Sequence, residues 1–179
     1  LGDLCYDSYR TVVKFSQLEL TLAKKTILVK FILMILNVIP KKKFDVTYAE
    51  QKKGLFSFGL YGVVEIHYTD DVLHRLAPAA DQDCPPMPIF QKIVASGTDF
   101  QAEVWQYLLS VKQGATCSYS DVATAIGRPK AYRAVGQAVG ANPVGILIPC
   151  HRILAKNQAI GGFAWGVDLK RKWLSIENI

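Results

Sequence analysis

Residues 118–140 read SYSDVATAIGRPKAYRAVGQAVG. Ser118, followed three residues later by Asp121, is a capping box: the hydroxyl and the carboxylate each accept a hydrogen bond from the other's backbone N–H. This predicts a short helix through Ile126. Gly127 stops it, and Pro129 stands where a first helical residue has no use for its N–H. A second helix is predicted from Pro129 to about Gly140. Two short helices joined by Gly127-Arg128-Pro129 make a helix-turn-helix pattern, one that ordinary helical hairpins share. The second helix is pared down. Between Ala131 and Gly140 only Tyr132, Arg133 and Gln137 are large and polar, and the rest are Ala, Val or Gly. Two readings stand: a core helix packed tightly on its neighbours, or a helix trimmed so that a duplex backbone can approach while Arg133 projects. Side chains inserted into a base stack are a known way of opening duplex DNA.

Upstream of this unit, Phe100, Val104, Tyr107, Leu108 and Val111 recur at helical spacing. Thr98 or Asp99 is the expected N-cap and Gly114 the expected end. Downstream, Val144 to Pro149 is apolar and short, and reads as a buried extended stretch. From Leu169 to Ile179 the pattern is helical, with Leu169, Trp173, Leu174 and Ile176 apolar and Lys170 to Lys172 exposed.

The first half has strand grammar. Leu18, Leu20 and Leu22 alternate with Glu19 and Thr21, the period of a half-buried strand. Ala23-Lys24-Lys25-Thr26 is a plausible turn, and Ile27 to Leu36 then returns as a second strand. A further pair is expected from Leu55 to Leu60 and Val63 to Tyr68, split at Tyr61-Gly62. Asp81 to Pro88 holds three prolines and no periodicity, so it reads as a loop.

Composition sets the outer limits. Of 179 residues half are hydrophobic and a fifth charged, which supports a packed core and excludes a wholly disordered chain. The length is too short for a full (β/α)₈ barrel. The formal net charge is +6, of which +2 falls before Gly97 and +4 after it. An anionic partner, nucleic acid first, is the implication. The apolar run Ile27 to Ile39 has 13 residues and includes Lys30 and Asn37. A bilayer-crossing helix needs about 20, so a buried strand is expected and no membrane role. Cys5, Cys84, Cys117 and Cys150 are far apart, with no CxxC pair. That fits a reducing, intracellular setting (a nucleus in a eukaryote, cytoplasm in a bacterium) and no metal site. The one set left for an N-terminal zinc would draw on Cys5 or Cys84 with His67 or His74.

The sharper signal is Ile148-Pro149-Cys150-His151-Arg152, an apolar run ending in a thiol beside an imidazole. A free thiol titrates near pH 8.5, so a nucleophilic Cys needs a base or a positive field. His151 can act directly or through a water, and a carboxylate can fix its tautomer, as in catalytic triads. Glu177 is the candidate carboxylate. Cys5, Cys84 and Cys117 read as small core hydrophobes.

With Gly140-Ala141-Asn142-Pro143 before it, this segment resembles the O6-alkylguanine-DNA alkyltransferases (methylated-DNA–protein-cysteine methyltransferases). Further matching residues are Gly97-Thr98-Asp99-Phe100-Gln101 with Val104-Trp105, Ser118-Tyr119, Pro129-Lys130-Ala131 with Arg133-Ala134-Val135-Gly136, and Gly161-Gly162 with Trp165-Gly166 and Lys170. The match covers about residues 97–177; the first half resembles the family only loosely. The implied fold is α+β: an N-terminal antiparallel-sheet domain (1–95), then a helical C-terminal domain (96–179) with a winged-helix/helix-turn-helix DNA-binding unit.

The resemblance implies DNA repair by direct reversal. An alkyl group passes once from O6 of guanine, with O4 of thymine as a second candidate, to Cys150, with no cofactor and no metal. The implied partner is double-stranded DNA carrying O6-alkylguanine, bound through its minor groove by a monomer. By the same resemblance His151, a bridging water and Glu177 take the thiol proton, Tyr119 donates toward the departing guanine, and Asn142 orients the turn. Arg133 fills the place of the flipped base, while Tyr119, Ser120, Arg128, Ala134, Gly136 and Gly140 meet DNA. Val144, Ile160, Gly161 and Phe163 wall the alkyl pocket. Two residues depart from the family pattern. Phe163 replaces a frequent Tyr, and Gly145 stands where proline is common, which implies a roomier pocket for bulky alkyl groups. Two other classes remain: a Cys-His hydrolase, and a non-catalytic alkyl-lesion-sensing DNA-binding module of the same fold.

Overall fold

The computed structural model describes residues 10–13, 18–20, 27–29 and 34–179. It is a mixed α+β structure. A six-stranded sheet runs in the order β1-β4-β8-β7-β6-β5, built from β1 (Arg10–Val13), β4 (Met34–Ile39), β5 (Lys52–Ser57), β6 (Val63–Thr69), β7 (Val72–Pro78) and β8 (Lys92–Ser96). A separate antiparallel pair joins β2 (Leu18–Leu20) to β3 (Ile27–Val29).

The sheet is not purely antiparallel, as had been expected of the first half. The pairs β1–β4, β5–β6 and β6–β7 are antiparallel, but β8 lies parallel to both β4 and β7. The 79–91 crossover returns the chain to the middle of the sheet, and a central strand covered on both faces favours continuous apolar runs such as Ile93, Val94 and Ala95, all buried. The expected strand from Ile27 to Leu36 is two elements in different sheets: β3 pairs with β2, and β4 pairs with β1 and β8. The Ala23–Thr26 turn and Leu22 lie outside the described residues. The expected pair forms as β5–β6, but β5 begins at Lys52 and stops at Ser57, short of the expected Leu60, because Gly59–Tyr61 make a 3₁₀ turn. A short helix, α1 (Lys41–Thr47), follows β4 with no buried residue, so no apolar stripe announces it.

The helical half begins with α2 (Asp99–Leu108). Thr98 caps it in a full capping box with Gln101. The helix ends at Leu108, not at Gly114, with Leu109 as C-cap. α3 (Tyr119–Ala125) opens on the Ser118–Asp121 capping box. Its exit turns on Gly127 at φ 72°, a left-handed conformation disfavoured for residues bearing a Cβ. α4 (Tyr132–Gly140) starts three residues later than Pro129 would have set it, because residues 128–131 form a separate turn closed by Ala131 N–H on Arg128 O at 2.8 Å. Trp105, fully buried, donates from Nε1 to Ala138 O at 2.8 Å and ties α2 to α4. The last helix is α5 (Val167–Ile176).

One buried apolar cluster runs through both halves, from Leu36, Ile66 and Leu76 to Trp105, Val135, Ile148 and Trp173. It carries the segment that ends in Cys150. Leu76 N–H donates to Pro143 O and Leu76 O accepts from Gly145 N–H, so β7 grips the chain just before the thiol. Val144 to Pro149 is buried as predicted but not extended. Ile146 has φ 66°, and Ile148 N–H returns to Val144 O at 3.0 Å. Among the described residues no helix is long and apolar enough to cross a membrane.

Candidate active site

Cys150 opens a 3₁₀ turn, Cys150–Arg152, and is 2% exposed. Three devices fix that turn. Asn142, itself buried, donates from Nδ2 to Ile148 O at 2.8 Å and accepts Val144 N–H on Oδ1 at 3.0 Å. The short strand β10 (Ile153–Leu154) pairs parallel with β9 (Cys117–Ser118), which sets the turn beside the start of α3 and hence beside Tyr119. Lys170 of α5 donates from Nζ to Ile153 O at 2.6 Å and to Ile160 O at 2.7 Å, clamping the following loop onto the turn. Lys170 was expected to be exposed; it is completely buried.

Cys150 forms the floor of a pocket of ≈ 250 Å³ that Tyr119, Gly136, Val139, Gly140 and Phe163 help to line. That is at the small end of ligand sites and suits one planar group. Gly162, Ala164 and Trp165 complete the wall. Ile160 and Gly161, expected in the wall, are not among its lining residues: Ile160 O accepts from Lys170, and a Cβ at Gly161 would lie 4.0 Å from the Tyr119 hydroxyl. Val144 is in the core, and its carbonyl accepts Ile148 N–H. The extra room expected at Gly145 is taken up: a Cβ there would sit 2.5 Å from the Trp165 ring, so the indole occupies the space.

Behind the thiol lies a buried relay. His151 is fully buried, and its Nε2 lies 2.9 Å from Glu177 Oε1. Arg152 grips the same carboxylate from two sides, Nε to Oε2 at 2.7 Å and NH2 to Oε1 at 2.8 Å. Burial pushes the Glu177 carboxyl up, but the hydrogen bonds and charges of His151 and Arg152 outweigh it and leave its pKa at about 2. Burial, only partly offset by Glu177, pushes the His151 pKa down, so the imidazole is neutral. With Nε2–H donating to the carboxylate, Nδ1 is the free acceptor, and it has no protein partner among the described residues. Burial lifts the Cys150 thiol to about 11, against partial opposition from the Asn142 hydrogen bond and the Lys170 charge. Burial and the neighbouring Cys150 raise the Tyr119 phenol, which keeps it a donor. The resting site is therefore a thiol, a neutral imidazole, a carboxylate and a phenol.

This balance has a measurable consequence. His151 and Glu177 both have folded-state pKa values below their unfolded values, so the unfolded chain binds more protons in acid. Stability is expected to fall in two stages: below about 6.5 as unfolded His151 charges, then from about 4.5 toward about 2 as Glu177 protonates. Urea midpoints measured between pH 7 and pH 3 check this, and the second stage should shrink in Glu177→Gln.

The residues expected to meet DNA lie on α3, α4 and the turn between them. Arg133 is exposed, with its guanidinium 5.9 Å from the Tyr132 ring centroid. Ala134 and Gly140 are exposed, Gly136 and Ser120 half-buried. Arg128 is not at the pocket; it pairs with Glu103 at 3.0 Å and lies over Phe100. Among the described residues no cluster of His, Cys, Asp or Glu suits a metal. His74, considered for zinc, is satisfied by Thr69 Oγ1 and Val94 O. Sequence reasoning assigned no role to Tyr61, Arg152, Lys170 or Trp165. Arg152, Lys170 and Trp165 stand inside the quoted motifs, whereas Tyr61 has no local signal.

The family model described as 6-O-methylguanine DNA methyltransferase, DNA binding domain, matches residues 99–179. The chain is 44% identical over 87 residues to a methylated-DNA–protein-cysteine methyltransferase of Methanosarcina barkeri, covering 49% of this chain and 55% of that one. It is 51% identical over 78 residues to a probable methylated-DNA–protein-cysteine methyltransferase of Acanthamoeba polyphaga mimivirus, covering 44% and 51%. The chain thus spans about half the length of the curated relatives it matches. Among solved structures, Mycobacterium tuberculosis OGT in complex with DNA superposes with a TM-score of 0.59 at 29% identity, covering 69% of this chain and 90% of that one.

Proposed function

We propose, from the premise that residues 99–179 belong to the 6-O-methylguanine DNA methyltransferase family, that this protein transfers an alkyl group from O6 of guanine in DNA to its own Cys150. The observation that carries the proposal is the buried array in which Glu177 holds His151 Nε2 and leaves Nδ1 free behind a thiol at the floor of a pocket. A thiol lifted to about 11 is inert by itself at neutral pH. The thiol proton passes to His151 Nδ1 through a water, and Glu177 stabilises the imidazolium. The sulfur then attacks the alkyl carbon in line. The S–C bond forms, the C–O6 bond breaks, and the guanine leaves with a proton donated from the Tyr119 side, so that no full negative charge builds on the base. A thioether results, with no thiol to regenerate, so each molecule acts once.

The target atom is unreachable in a stacked duplex, so the nucleotide flips into the pocket. α3 and α4 serve as a helix-turn-helix within a winged-helix unit that takes the minor groove. Arg133 fills the vacated stack, and the small residues of α4 give the backbone clearance. On this reading residues 96–179 bind DNA and accept the alkyl group, while residues 1–95 are a structural domain, and the protein acts as a monomer.

The test is intact mass after incubation with duplex DNA carrying O6-methylguanine. The expected result is one gain of about 14 Da, located on Cys150 and absent from Cys150→Ala. An unmodified Cys150 after long incubation overturns the reading, and turnover of an ester with no adduct would point to a hydrolase.

A further inference from the structure

The hydroxyl of Tyr61 donates to Glu177 Oε1 at 2.9 Å in a buried contact across 116 residues of sequence. Tyr61 belongs to the first half of the chain, at the end of the 3₁₀ turn between β5 and β6, and is 3% exposed. Its ring packs edge-on against both His151 and Trp173. The oxygen it selects is the one to which His151 Nε2 donates, and Arg152 NH2 reaches it too. Oε1 therefore accepts three donors while Oε2 accepts one from Arg152. A tyrosine buried only for packing needs some acceptor for its O–H; this one has taken the carboxylate of the proton relay.

We propose that Tyr61 is a positioning residue of the Cys150–His151–Glu177 relay, through which the first half of the chain sets how strongly Glu177 supports the protonated imidazole. The inference rests on the reading of that site given above. A hydrogen bond to the ionised form of a carboxylate spreads its charge and makes it a weaker acceptor for other donors. The charged and titratable groups facing Glu177 are His151, Arg152 and Tyr61, and Lys170 acts on His151 from α5. Of these Tyr61 lies outside the segment that carries the reacting groups, and its bond to Glu177 can be removed without removing a charge or a proton acceptor. Burial and Glu177 both push its phenol upward, so it remains a donor through the working range.

Tyr61→Phe keeps the ring and removes the donor. Glu177 then binds the imidazolium more firmly. Passing the proton from thiol to imidazole releases none to solvent, so the gain shows as a larger fraction of thiolate–imidazolium pair at neutral pH. The expected result is a rise of at least about threefold in the neutral-pH rate of Cys150 modification, shrinking as pH rises toward the thiol's own value of about 11. It is read in two ways, as single-turnover alkyl transfer from duplex O6-methylguanine and as iodoacetamide alkylation of Cys150, both by intact mass. In a Glu177→Gln background the same substitution should leave the rate unchanged. Should Tyr61→Phe not fold, 3-fluorotyrosine at position 61, a stronger donor of nearly equal size, should lower the rate. A rate that does not change, changes oppositely, or rises equally without Glu177 or at every pH overturns the proposal, even with a lowered melting temperature. If iodoacetamide shows the rise while DNA transfers no methyl group, the relay stands and the alkyl-transfer reading falls.

Discussion

Replacing Glu177 by Gln is expected to slow alkyl transfer to Cys150 by about 10²–10⁴-fold at neutral pH. On the proposed mechanism the carboxylate does two jobs at once. It fixes the tautomer of His151 that leaves Nδ1 free, and it carries the negative charge that makes an imidazolium tolerable in a fully buried place. A neutral amide can imitate the first only in part and the second not at all. The substitution also strands Arg152, whose Nε and NH2 lose an anion and whose remaining contact is NH1 on Val111 O. Removing one member of a buried pair costs about 3–5 kcal/mol, so denaturant midpoints should fall together with activity. The two effects separate in alkali. As pH rises toward the thiol's own value of about 11, Cys150 ionises without help and the rate defect should narrow. A defect that stays constant from pH 7 to pH 10, measured by single-turnover mass spectrometry on folded protein, would show that Glu177 acts on structure alone.

The parts of this arrangement legible in the sequence were those set by local chemistry. The capping box at Ser118 marks the start of α3 to the residue, and Thr98 or Asp99 brackets the start of α2, because caps rest on hydrogen bonds within four residues. Cys150 and His151 stood out as neighbours. Glu177 was named as a candidate, but its return to His151 depends on how α5 docks, which no spacing encodes.

Lys170 shows a different failure. Read as one of three consecutive exposed cations, it lies three and four residues before Trp173 and Leu174, and so on the same helical face as two buried side chains. Periodicity argued for burial, and residue type argued against it. Two backbone carbonyls, Ile153 O and Ile160 O, decide the matter by satisfying the ammonium. Tyr61 marks the limit of reading along a chain. It ends a 3₁₀ turn that begins two residues before the expected split at Tyr61-Gly62, and its partner is 116 residues away. The insertion of β8 between β4 and β7 was hidden for the same reason: strand order follows long-range pairing, whereas alternation reports only which face of a strand is buried.

Arg133→Ala is expected to separate duplex repair from chemistry. Arg133 is exposed on the second residue of α4, its guanidinium 5.9 Å from the Tyr132 ring centroid, and among the described residues no hydrogen bond or ion pair joins it to the thiol or the relay. Nothing in the Cys150–His151–Glu177 array should change when it is cut back. What should change is the balance between a stacked and a flipped nucleotide, because the flipped state has lost stacking and pairing worth a few kcal/mol and a side chain filling the gap restores part of it. If Arg133 supplies about 3 kcal/mol of that, its loss slows methyl transfer from duplex O6-methylguanine by about 10²-fold. Transfer from the free base O6-alkylguanine, which needs no flipping, should change by less than about threefold. A single-stranded lesion should fall between the two. Parallel single-turnover measurements on the three substrates give the ratio directly, and equal losses on duplex and free base would place Arg133 in general stability or in simple phosphate attraction. Salt tells those apart, since a lost phosphate contact weakens binding uniformly and flattens its salt dependence. A lost wedge lowers the duplex rate at every salt concentration.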